Sequence, residues 1–155
     1  MSEKMQRNLS VAMWASTGLI LALLTLQGLS GNWITYFLIL PGGPANLSQV
    51  FVSGLVKLAM SHKIMGFCIG LLSILILIFA FTRRWSRYVR LFAVLGFIIT
   101  ALAAVGGYLF VQSGLTDRWP LGQMSDAFVG CYAAYFLQLF FMNKTPSFLP
   151  AGKDI

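Results

Sequence analysis

Acidic side chains are almost missing from this chain. Glu3, Asp117, Asp126 and Asp154 are the only carboxylates in 155 residues, against eleven lysines and arginines. There is one histidine, His62, and there are two cysteines, Cys68 and Cys131, both inside apolar runs. These scarcities exclude most chemistry that side chains perform alone. The chain contains no carboxylate pair for acid–base work, no nucleophile with a base near it, no phosphate-binding glycine loop and no cluster of metal ligands. With no paired cysteines in any connection, neither a disulfide framework nor a zinc site is expected. Charged residues of all kinds make up 10% of the sequence, far below the roughly one quarter usual in a soluble domain.

Apolar residues take that space, at 58% of the chain. A helix needs roughly 20 of them to cross the hydrocarbon core of a bilayer. Four such runs occur, at about 9–28, 51–81, 91–111 and 124–142. With their connections they use nearly the whole length, so residues 1–155 are expected to form a single all-α domain, an integral membrane four-helix bundle. The short basic start before the first run could pass for a signal-peptide n-region. The run is too long for that and lacks a small-residue cleavage site, so a retained helix is expected.

In a soluble protein a net charge of +7 would point to nucleic acid. Here the basic residues cluster at the ends of apolar runs, which makes them topology markers and removes the nucleic-acid reading. The connection Arg83-Arg84-Trp85-Ser86-Arg87-Tyr88-Val89-Arg90 carries four arginines and is expected on the cytoplasmic side. An even number of crossings then places both termini there too, with Lys4 and Arg7 at one end and Lys144 and Lys153 at the other. Ser30 to Gln49 becomes an external connection with no charged residue, too apolar for a solvated loop and expected to lie on the membrane or against a partner. Trp33, Tyr36 and Trp119 fall where an outer aromatic belt belongs, Trp85 and Tyr88 where an inner one does. Asn46-Leu47-Ser48 is a glycosylation sequon on the outer side. With no organellar targeting features, a prokaryotic cytoplasmic membrane is the simplest location.

Two readings compete at His62. Gly66, Gly70 and Ser73 stack below it on one face of the second helix, and small residues there would let a flat macrocycle lie close to a haem-ligating imidazole. The same glycines would equally let another helix approach, with His62 hydrogen-bonded at the crossing. Lys57 and Lys63 either snorkel to the outer headgroups or pair with an acid such as Asp126 or a propionate. Asp126 is expected in the first turn of the fourth helix, where a carboxylate offsets the helix dipole. Gly106, Gly107 and Cys131 are expected to be packing positions.

The dipeptide His62-Lys63, the stretch Gly66-Phe67-Cys68-Ile69-Gly70-Leu71-Leu72 and the late third-helix segment Val105-Gly106-Gly107-Tyr108-Leu109-Phe110-Val111 together resemble one four-helix half of the haem A synthase family. The resemblance covers about two thirds of the chain and implies a haem-handling membrane bundle. Three family features are missing. Leu121-Gly122-Gln123-Met124-Ser125-Asp126 holds no second histidine, Leu58-Ala59-Met60-Ser61 holds no acid before the first one, and the outer loop lacks its cysteine pair. Bis-histidine ligation within one chain is excluded, and a haem on His62 would need Met124, Gln123 or another chain on its far side.

The function expected from these features is a non-catalytic accessory or assembly subunit of a larger membrane complex, a respiratory terminal oxidase above all, with membrane lipids and other integral subunits as partners. One alternative is a haem-binding electron-transfer protein whose site would comprise His62, Gly66, Gly70 and Met124. A second is a small transporter or channel, although the ionisable groups lie toward one surface rather than along a pathway.

Overall fold

A computed structural model of the chain describes residues 3–39, 49–82, 85–112 and 118–144. All of these but Trp85 and Ser86 are helical, in four elements: α1 (Glu3–Ile39), α2 (Gln49–Thr82), α3 (Arg87–Gln112) and α4 (Arg118–Lys144). Each contains a stretch long and apolar enough to cross a membrane. The five prolines explain where the helices can run. Pro41 and Pro44 fall between α1 and α2, Pro146 and Pro150 follow α4, and Pro120 sits in the first turn of α4, where a missing N–H costs nothing. At the start of α3 the Ser86 hydroxyl accepts from the Val89 N–H at 3.4 Å, while its carbonyl accepts from the Arg90 N–H. Ser86 is thus the N-cap of α3.

The helices bury narrow stripes and expose bulky apolar side chains, the reverse of a soluble bundle. On α3 the buried stripe is Val89, Ala93, Gly96 and Thr100, and Gly106 is buried further along. On α4 it is Ala127, Cys131, Ala134, Tyr135, Gln138 and Met142. Phe67, Leu102 and Val129 all point outward. Such a surface suits hydrocarbon as its solvent, where small residues at the seams let helix backbones come together.

The seams are antiparallel, and that between α3 and α4 is the most extensive. Gly96 on α3 receives the Tyr135 ring: a Cβ there would lie 2.7 Å from it. Gly130 on α4 receives Ile99 in turn. A third such contact joins the two halves, since a Cβ at Gly28 of α1 would lie 2.7 Å from the Phe128 ring of α4.

Four boundaries differ from the expectation, the first being the start of α1, which is at Glu3 rather than near Leu9. α1 does not stop near Gly28 but continues to Ile39, so the first ten residues of the expected outer loop are helix. No proline and no charged residue interrupts the sequence between Gly28 and Pro41, so nothing in it stops the helix there. The Tyr36 side chain and the Asn46 sequon lie outside the described residues. α4 begins at Arg118 rather than near Met124, which places Asp126 beyond the first turn, exposed and away from any capping position. α3 begins at Arg87, so two of the four loop arginines are helical.

The glycine contacts generate a test. Gly96→Ala and Gly28→Ala should each destabilise the bundle by about 1 to 3 kcal/mol through overpacking. Gly18→Ala, where nothing lies within 4 Å of the added Cβ, should be neutral or mildly stabilising. Unfolding in detergent micelles followed by circular dichroism separates the two groups.

A candidate functional site at the α1–α2 seam

His62 is held from both sides by α1. Gln27 and Ser30 are three residues apart and so share a helix face. The Gln27 side-chain nitrogen lies 2.9 Å from His62 Nε2, and the Ser30 hydroxyl oxygen lies 2.8 Å from His62 Nδ1. The Ser30 hydroxyl also lies 3.0 Å from the Gln27 backbone carbonyl, to which it donates. Two glycines make the room. A Cβ at Gly31 would sit 3.2 Å from the imidazole Cε1, and one at Gly66 would sit 3.3 Å from the Gln27 amide nitrogen.

Counting protons assigns the tautomer. An amide nitrogen only donates, so His62 Nε2 must accept from Gln27. The single Ser30 proton goes to the Gln27 carbonyl, so the serine oxygen must accept from His62 Nδ1–H. The circuit closes on a neutral imidazole protonated at Nδ1. Gln27 Oε1 is buried and has no hydrogen-bond partner among the described residues. In a low-dielectric seam these bonds lock α1 to α2 in one register.

A second group of polar side chains occupies the core where α2, α3 and α4 meet. Ser73 donates to the Gly70 carbonyl at 2.7 Å and Thr100 to the Gly96 carbonyl at 2.8 Å. Thr100 also lies 3.4 Å from the Cys131 sulfur. The Tyr135 hydroxyl sits beside Ser73 and Thr100. One turn further along α4, Gln138 is 0% exposed, and neither of its amide atoms has a partner among the described residues.

The residues singled out from sequence as a haem site do not converge. Gly66 faces Gln27, so the space a macrocycle would need is taken by α1. Gly70 instead lines an open, apolar groove of about 220 Å³ between α2 and α3, with Phe67, Ile74, Phe97 and Ala101 among its walls. The sulfur of Met124 packs 3.5 Å from the Cβ position of Gly107, in the α3–α4 seam. An axial bond to iron needs a free ring nitrogen, and both nitrogens of His62 are hydrogen-bonded. As arranged, these side chains do not fit a haem. Lys57, Lys63 and Asp126 are exposed.

No protein-family model, no curated protein and no solved structure matches the chain. What the site does therefore rests on its own geometry. Gln27 and Ser30 are the partners that a reading centred on His62 and its own helix did not supply. Their signal was a glutamine inside an apolar run, a residue type that seeks another polar group across a helix seam. Gln138 carries the same signal.

The circuit generates a second test. Gln27→Leu and His62→Phe, alone and together, should show a coupling of roughly 0.6 to 1.7 kcal/mol in a double-mutant cycle. Nitrogen NMR of labelled histidine should report Nδ1 protonated and Nε2 bare. Additive single effects would mean that the two side chains do not interact.

Proposed function

We propose that this chain is a non-catalytic accessory or assembly subunit of a larger membrane complex, a respiratory terminal oxidase in a prokaryotic cytoplasmic membrane. Both termini and the arginine-rich connection lie on the cytoplasmic side. The antiparallel seams and the clustering of basic residues at one end of the bundle support that orientation.

One observation carries the reading as a subunit. Helix α1 is 37 residues long and α2 is 34, so at 1.5 Å per residue they measure about 55 and 51 Å. The hydrocarbon core of a bilayer is about 30 Å thick. Past that depth α1 stays uncharged: Trp33 is 59% exposed and the sequence from Ile34 to Leu40 carries no charge, while on α2 the 64% exposed Met60 lies between the exposed Lys57 and Lys63. Apolar surface that lipid does not cover calls for a protein partner. The hydrogen-bonded His62 supports a structural role for that residue over a reactive one, and the family resemblance supplies the respiratory context.

The protein extracted from its native membrane in mild detergent should be colourless and should bring oxidase subunits with it. Trp33→Glu paired with Met60→Glu should release those partners while leaving the helical content unchanged. A lone protein with no co-purifying chains would overturn the proposal. A Soret absorption lost in His62→Ala would replace it with a haem-binding electron carrier.

A further inference from the structure

The basic end of the α3–α4 hairpin is built more firmly than a set of free surface cations. Arg87 lies over the Tyr88 ring, 4.9 Å from its centroid, and donates to the Tyr88 hydroxyl at 3.0 Å. Tyr88 stacks on Phe141 with centroids 4.8 Å apart, and Phe141 meets Phe140 edge-on at 5.4 Å. Over the Phe140 ring, at 4.6 Å, lies the ammonium of Lys144. The result is one continuous chain of contacts, cation to ring to ring to ring to cation, crossing from α3 to α4. Cation–π contact limits how far a guanidinium or ammonium can wander and keeps its outward N–H groups free to donate. Arg90, also exposed, follows Arg87 by three residues and shares its helix face.

Among the described residues, no acidic side chain of the hairpin lies beside this charge. α3 contains no acid, and the acid of α4, Asp126, is near the helix's opposite end. On α1 the single Glu3 is followed at once by Lys4 and by Arg7. In the sequence Arg83 and Arg84 precede α3, separated from it by Trp85 and Ser86. The aromatic seat is at the terminus of two membrane-length helices, the depth at which tyrosine rings and basic side chains meet headgroups.

We infer that Arg87, Arg90 and Lys144, positioned by Tyr88, Phe140 and Phe141, form a binding site for the phosphate of an anionic phospholipid. The lipid's acyl chains lie along the exposed apolar flanks of α3 and α4, which a free phosphate could not use. A basic cluster beside a membrane surface gains about 1 kcal/mol per lysine or arginine, or about fivefold in binding for each charge.

The full-length protein in neutral-detergent micelles is titrated with phosphatidylglycerol or with phosphatidylcholine, and retained lipid is counted by native mass spectrometry. Phosphatidylglycerol should be retained preferentially. Arg87→Gln combined with Lys144→Gln should weaken that preference by about tenfold or more. Lys57→Gln combined with Lys63→Gln removes the same charge from α2 and should leave it intact. Tyr88→Leu with Phe140→Leu keeps every cation and should still weaken retention, because the seat is gone. Circular dichroism confirms that each variant is folded. Equal loss in both charge variants, or unchanged retention in the aromatic one, would reduce the site to general charge attraction and overturn the inference. Displacement of the lipid by millimolar inorganic phosphate would do so too.

Discussion

Hydrocarbon offers no hydrogen bonds, and this constraint governs the rest of the structure. A backbone group left open in lipid costs several kcal/mol, so a chain that crosses can do so only as unbroken helix; here four helices are long and apolar enough, and the only proline within them is Pro120, in the first turn of α4. The same rule reaches the side chains. Thr17 donates back to the Met13 carbonyl, Thr25 to Leu21, Ser73 to Gly70 and Thr100 to Gly96. Each of these hydroxyls is satisfied within its own helix, which lets Thr17, Ser73 and Thr100 sit in the core without depending on a partner across the seam. Histidine and glutamine are too long for that solution. His62 and Gln27 find each other across α1 and α2 instead, with Ser30 closing the circuit.

The two hairpins are consequently held in different ways. In α3–α4 the fit is one of shape: Tyr135 fills the place of a missing side chain at Gly96, and Ile99 does so at Gly130. In α1–α2 the contact that sets register is electrostatic and directional, and glycines serve only to admit the polar groups. Shape complementarity tolerates small slides along the helix axis. A ring nitrogen at 2.8 Å from a hydroxyl does not, so the polar seam specifies alignment more sharply than its share of the surface would imply.

Much of this was legible from residue order. Four long apolar runs and the arginine-rich connection located the helices and the short stretch of sequence between α2 and α3, because there the composition changes abruptly. The end of α1 was not legible. Residues 29–39 are uncharged and mostly apolar, so loop and helix look alike, and the prolines at 41 and 44 are the first helix breakers in the sequence after them. The start of α4 was misplaced for a related reason: Pro120 and Gly122 read as breakers, yet a proline in the first turn is compatible with helix. At the site, His62 stood out by being unique, but its partners depend on the register of two helices, which periodicity along one helix cannot supply. Gln138 was visible as a polar residue in an apolar run. That it would be fully enclosed could not be read without knowing which face α4 turns inward.

The arrangement of seams has a consequence for biogenesis. Each hairpin contains its own register-setting contact, His62 with Gln27 and Ser30 in the first, Tyr135 on Gly96 in the second. The α1–α4 seam is the least extensive among the helix pairs that pack closely. A nascent chain can therefore bring α1 and α2 into their final alignment while α3 and α4 are still being synthesised. Docking of two prealigned pairs would then close the α2–α3 and α1–α4 seams together, with Phe128 meeting Gly28 in the second.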